Sequence, residues 1–199
     1  MGGDLLASFN LLHDAWIPVR LADGTGRWIS PWRITEGLPD NPPVSIDWPR
    51  PDFNGAGLEF LIGLLATAFA PRDEDEWHSR WEHPPRPDEL QAAFSSIAFA
   101  FNLDGDGPCF MQDLDPLEDV EARGIESLLI DQPGDQTLRY NKDLFVKRGG
   151  IGLLGRPAAA MALYTTTTTG SRVPRTRGDE PTEGERAVQR AGRSPHARG

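Results

Sequence analysis

The sequence predicts an α+β domain followed by a disordered C-terminal tail, and three observations carry that expectation. Two short runs of large apolar side chains, Trp16-Ile17-Pro18-Val19 and Arg27-Trp28-Ile29, flank an Ala22-Asp23-Gly24 turn, as in a β-hairpin. Leu58, Leu61, Ile62, Leu65 and Phe69 recur at helical spacing. After Tyr164 come five threonines and then a stretch rich in Pro, Gly and Arg, a composition that cannot bury enough apolar surface to fold.

With 199 residues there is room for one domain and a tail. The 18 Pro and 21 Gly imply much loop. No apolar run reaches the roughly 18 residues that span a membrane, so no membrane partner is expected. No basic segment precedes an apolar one at the N-terminus, so no secretory signal is expected either. A single cysteine, Cys109, excludes an internal disulfide framework and any Cys-based zinc site, and the cytoplasm is the default location. Charge is uneven. Residues 1–169 carry 13 Lys+Arg against 26 Asp+Glu, a net of −13, whereas residues 170–199 carry 7 Arg against 4 acids, a net of +3. An acidic body does not suggest a free-standing nucleic-acid binder, although a local basic strip could still act inside a larger assembly.

Taken in order, Asn10 to Arg20 opens the domain. Its Trp, Ile and Val suit a pleated, half-buried surface. Pro18 cannot donate a ladder hydrogen bond, so the run reads as an edge strand or a strand entry. Ser30-Pro31 reads as the N-cap and first position of a short helix ending near Gly37. Residues 38–54 read as irregular, with Trp48 as an anchor. Leu58 to Phe69 is the main apolar helix, stopped by Pro71. Arg72 to Glu76 reads as a solvated charged loop, and His78 and His83 lack the partners of a metal pattern. Asp88 is read as the cap of a helix from Glu89 to about Phe101, with Leu90, Phe94, Ile97 and Phe101 inward.

Asp104-Gly105-Asp106-Gly107 has the opening of a calcium loop. Pro108, Cys109 and Phe110 then stand where oxygen ligands are needed, so a turn is expected and no metal. Phe110 to Asp113 reads as a short buried strand. Leu128-Leu129-Ile130 reads as a strand stopped by Pro133-Gly134. A polar loop follows, carrying Arg139, Tyr140, Asn141, Lys142, Lys147 and Arg148. Lys142 and Lys147 are the only lysines of the chain. Cations, an amide and an aromatic in one loop suit backbone and base contacts to single-stranded RNA, and they equally suit a solvated surface loop. Leu153 to Tyr164 reads as a helix, with the small residues of 158–163 fitted to close packing.

The opening Asn-Leu-Leu-x-x-x-Trp-Ile-Pro-Val-Arg, with the later Trp-Ile-Ser-Pro, resembles the start of the CasA family, the large subunit of the type I-E CRISPR surveillance complex Cascade. Phe110-Met111-Gln112 and the apolar run before Asp131-Gln132-Pro133-Gly134 resemble the same family. The resemblance covers roughly residues 5–165. It implies a truncated mixed α/β N-terminal domain, with other Cascade subunits and the guide RNA as partners. It also implies that the loop after Gly134 lies near the 5′ handle of the guide. Arg139, Asn141, Lys142, Lys147 and Arg148 are the candidate nucleic-acid-binding residues on that basis. An intact relative recognises the PAM beside a double-stranded DNA target and recruits the helicase-nuclease. The loops that do so lie beyond the point where this chain diverges, so no PAM contact is assigned here. Some relatives place a Cys-x-x-Cys pair where this chain has Leu154-Gly155-Arg156-Pro157, so no zinc or other cofactor is expected. No nucleophile–base pair, phosphate loop or metal spacing points to an enzyme.

The tail, residues 166–199, also resembles something, but as DNA. The type I-E-like repeat GTTCCCCGCACGCGCGGGGATGA translates as Val-Pro-Arg-Thr-Arg-Gly-Asp, found at 173–179, and two nucleotides later as Ser-Pro-His-Ala-Arg-Gly, found at 194–199. The 21 codons from Pro174 to Pro195, less that shift, match one repeat plus one spacer. The expectation is a CasA-like fragment joined to translated repeat–spacer DNA, or a misjoined assembly of such a gene. On that reading the Arg-Gly-Asp tripeptide, the basic arm and the Thr run are not functional signals. The alternative is a non-functional truncated pseudogene product with no binding activity.

Overall fold

Strand pairing at the N-terminal end goes one strand further than the hairpin pattern alone requires. The computed structural model describes residues 8–107, 109–112, 124–130, 132, 139–141 and 151–168. Strands β1 (Ile17–Leu21), β2 (Gly26–Ile29) and β3 (Pro43–Ile46) form an antiparallel sheet in the order β2-β1-β3. β1 is therefore central, which rules out the edge position, and Pro18 stands instead at the strand entry, second in β1. The Pro18 carbonyl accepts from the Asp47 N–H at 2.8 Å. A residue's N–H and C=O point to the same side in an antiparallel ladder, so the missing donor falls where the β3 ladder ends, one step beyond the Val19–Ile46 pair. The third strand hides in sequence because it is four residues long and begins at Pro43.

The hairpin turn is closed locally. The Asp23 carboxylate accepts from the Thr25 N–H at 2.8 Å and from its hydroxyl at 2.7 Å, and Gly24 takes φ +86°. Ser30 precedes a single 3-10 turn, Pro31–Arg33, in place of a longer helix. Its hydroxyl donates to the His13 carbonyl at 2.9 Å rather than capping.

Four α-helices follow among the described residues. α1 (Pro51–Ala68) begins earlier than its apolar stripe, with Pro51 in the first position, where its lost N–H costs nothing. The face it buries is Phe53, Ala56, Gly57, Phe60, Leu61 and Leu64, while Leu58 and Ile62 lie 56% and 58% exposed. α1 is apolar nearly all round, so its periodicity does not choose an inner side. α2 (Glu74–Glu82) starts inside the charged run read as a loop. Asp73 caps it, accepting from the Glu76 N–H at 2.8 Å, and three acidic residues in its first turn complement the helix dipole.

α3 (Pro87–Ser95) ends before the predicted Phe101, and a 3-10 turn, Ala98–Phe101, continues it. The Ser95 and Ser96 hydroxyls donate back to the Gln91 and Ala93 carbonyls, competition that weakens a helix end. Asp88 lies inside the first turn and pairs with Arg86 rather than capping. α4 (Arg156–Thr168) starts and ends later than expected. Thr165 is buried and its hydroxyl donates to the Met161 carbonyl at 2.7 Å. Phe110 is buried as expected and Leu129 is buried too, but neither lies in a strand. Phe110 sits in a turn with Met111 at φ +54°, and a 3-10 turn, Ile125–Leu128, precedes Leu129.

The core gathers around Phe60. Trp16 meets it edge-on from the sheet side, and Phe101, Phe110 and Tyr164 approach from the others. Burial pushes the Tyr164 phenol above its ordinary pKa, helped by the charge of Glu59. Asn10 stitches the N-terminal segment to the end of α3. Its amide donates to the Ala98 carbonyl and to Asn102 Oδ1, both at 2.8 Å, and its Oδ1 accepts from the Leu12 N–H at 2.9 Å. The Asp104 turn closes the same seam, as its carboxylate accepts from the Phe9 N–H at 2.7 Å and pairs with Arg156 at 2.7 Å. The tail beyond Thr168 lies outside the described residues.

Candidate functional site

Described residues on either side of the loop carrying the candidate RNA contacts line one pocket. Trp28, Trp48 and Phe53 pack edge to face in sequence, with centroids 5.5 and 5.6 Å apart. They line an apolar pocket of about 280 Å³ that Leu129 and Leu154 also line. Leu129 is buried just before the loop and Leu154 lies just after it. Leu129, before the segment 130–153, and Leu154, after it, therefore border the same pocket as the aromatic triad. Trp48 is the anchor the sequence suggested. Trp28 is half-exposed, one ring face turned to the pocket while its strand neighbours pair with β1.

Two further contacts set the approach to the loop. The Thr166 hydroxyl donates to the Leu128 carbonyl at 3.0 Å, so α4 holds the turn that feeds Leu129 inward. Arg50, at the mouth of the pocket, forks onto Asp52 at 2.8 and 3.1 Å and lies 5.1 Å from the Phe53 ring. A planar guanidinium held by a carboxylate and an aromatic face is already partnered, so this cation belongs to the scaffold.

Of the five candidate residues, Arg139 and Asn141 are described, and both are exposed on one turn with Tyr140, which is 64% exposed. Asn141 has φ +50°, the left-handed region that Asn tolerates better than most residues. Lys142, Lys147 and Arg148 lie outside the described residues. An exposed cation, phenol ring and amide on consecutive residues can offer phosphate pairing, base stacking and an amide donor together. Among the described residues no group of three or more His, Cys, Asp or Glu is placed to hold a metal ion. No described helix is long and apolar enough to cross a membrane.

Sequence reasoning missed the outer face of α2. Trp77 and Trp81 stack with centroids 5.8 Å apart and planes 13° from parallel, exposed to 50% and 75%. Their four-residue spacing in a helix was the available signal, obscured because the charged run before them read as a loop. Glu76 holds that helix down. Its carboxyl lies at about 2, lowered chiefly by the Arg72 N–H and guanidinium and then by Arg80.

The family model described as CRISPR-associated protein Cse1 matches residues 10–192, a span that includes residues outside the described ones. The fold is similar to the crystal structure of Thermobifida fusca Cse1, with a TM-score of 0.64 and 24% identity over 80% of this chain and 29% of that one. It is similar to the Acidimicrobium ferrooxidans Cse1 structure at 0.60 and 22%, covering 80% and 28% of the two chains. Against Thermus thermophilus CasA (Cse1) the values are 0.59 and 19%, covering 80% and 30%. The chain thus spans less than a third of each of these relatives. No curated protein matches the sequence. Matched by that model over most of its length and folded like the solved Cse1 chains, this chain belongs to the CRISPR-associated protein Cse1 family.

Proposed function

We propose that the chain is a CasA-like N-terminal portion that docks, without catalysis of its own, on guide-bearing Cascade in the cytoplasm. The observation that carries this reading is the Cse1 family match over residues 10–192. The exposed Arg139–Asn141 turn supports the choice of surface. So does the apolar pocket that Leu129 and Leu154, on either side of that loop, line together with Trp28, Trp48 and Phe53. In this reading Arg139, Asn141, Lys142, Lys147 and Arg148 face the guide RNA and neighbouring subunits. Double-stranded target DNA, PAM recognition and recruitment of the helicase-nuclease belong to an intact subunit. Co-migration of the purified chain with a Cascade assembly lacking its large subunit tests the proposal. Salt-sensitive association that requires the guide RNA is the expected result. A chain that melts cooperatively yet fails to associate at low salt would overturn it.

The family match runs on to residue 192, yet the two frame-related peptides at 173–179 and 194–199 lead us to propose that residues 166–199 are translated repeat–spacer DNA. Long reads across the locus should show repeats following codon 165. An uninterrupted large-subunit reading frame there would refute this.

A further inference from the structure

We propose that the outer face of α2 is a docking surface for an arginine-bearing segment of a protein partner. None of the nine residues of α2 is buried, yet the helix is fixed in place. The Arg80 guanidinium lies 4.0 Å from the Phe69 ring centroid, donates to the Phe69 carbonyl and pairs with Glu76. Arg72 pairs with the same Glu76. Arg80 is thereby drawn against Phe69, and both cations are paired with Glu76 rather than with the outer carboxylates. The outer side is left with the stacked, exposed Trp77 and Trp81. At 100° per residue Glu74 and His78 flank those rings and Glu82 follows, with Glu74 Oε1 3.8 Å from His78 Nε2.

Two indoles in water are an unusual use of surface, and the face they form has a definite chemistry. It offers flat π surfaces bordered by carboxylates, on a body of net charge −13 over residues 1–169. A guanidinium satisfies both features at once, stacking on indole while pairing with a carboxylate. A lysine ammonium supplies the charge without the plane. Nucleic-acid bases could stack there, but their phosphates would meet Glu74 and Glu82. The proposal does not depend on the Arg139–Asn141 turn binding RNA.

The test uses the full chain and three labelled probes read by fluorescence anisotropy: acetylated tetra-arginine amide, its tetra-lysine counterpart and an oligouridylate. Tetra-arginine should bind more tightly than tetra-lysine. Trp77→Ala with Trp81→Ala should weaken tetra-arginine binding by about five- to tenfold, the size of two exposed cation–π contacts, without lowering the thermal midpoint. The single Trp81→Ala, at the more exposed ring, should give a smaller loss in the same direction. Equal affinity for the two peptides would overturn the proposal, as would tetra-arginine binding unchanged in both variants. So would oligouridylate binding that depends on the two tryptophans, which would reassign the face to nucleic acid.

Discussion

The Trp16 and Phe60 rings meet edge to face with centroids 5.4 Å apart and planes at 77°. That contact joins the sheet to the middle of α1. Trp16 is fully buried, and its indole N–H donates to the Leu11 carbonyl at 2.7 Å. Trp16→Ala should therefore cost about 3–5 kcal/mol. Trp16→Phe should cost less, because it keeps a ring and loses chiefly the hydrogen bond, worth about 1 kcal/mol. Urea denaturation of the three proteins checks the order. Equal midpoints would mean the ring is not core.

Asn10 is a polar residue nine-tenths buried that satisfies three groups at once, Ala98, Asn102 and Leu12. Asn10→Ala leaves those groups without partners, at about 1–3 kcal/mol for each that water cannot reach. Asn10→Asp keeps the acceptor for the Leu12 N–H and loses both donors. Both variants should unfold earlier than the parent in a thermal melt, and hydrogen exchange should quicken at Leu11 and Leu103, whose N–H groups bond across the same seam.

Acid should loosen α2 through Glu76. Its carboxyl sits at about 2 in the folded chain against 4.5 ordinarily. Above 4.5 both states are ionised and the stabilisation is fully present. As pH falls from 4.5 toward 2 the unfolded state takes up the proton first, so the stabilisation drains away across that window. Following far-UV dichroism and indole emission in the parent and Glu76→Gln checks this. The difference between the two proteins should shrink on acidification, and a constant difference from pH 6 to 2 would contradict the prediction.

Lys147→Glu combined with Arg148→Glu should weaken association with guide-bearing Cascade and reduce its dependence on salt, since each phosphate contact contributes roughly one unit to that slope. Arg139→Ala should act in the same direction, more weakly. Neither change should shift the thermal midpoint. Unaltered binding at low salt would remove the loop from the interface.

Gly37 has φ +80°, and a Cβ there would stand 2.6 Å from the Asn41 carbonyl oxygen. Gly37→Ala should destabilise by roughly 1–3 kcal/mol, measured by denaturant unfolding. Gly63→Ala is the control, since α1 leaves its Cβ position open and alanine favours a helix.

By itself the sequence determined the class of the fold, the hairpin, the buried Trp16, Trp48 and Phe110, and the turn at Asp104–Gly107. Each of these follows from short-range chemistry: apolar side chains beside a Gly turn, or a would-be metal loop without its ligands. The same reading marked Arg139 and Asn141 in the loop after Gly134, though their chemistry alone could not separate RNA contact from plain solvation. Tertiary structure decided what local patterning leaves degenerate. α1 is apolar on almost every side, and only packing against Trp16, Phe110 and Tyr164 selects Phe60 as its inner residue over Leu58 and Ile62. Pro18 forbids a donor but not a central position, and the ending of the β3 ladder makes room for it. The charged run before Trp77 became a helix because Asp73 caps it and Arg80 reaches back eleven residues to Phe69, a side-chain contact that hydrophobic periodicity does not encode. That helix carries the stacked tryptophans on its outer face.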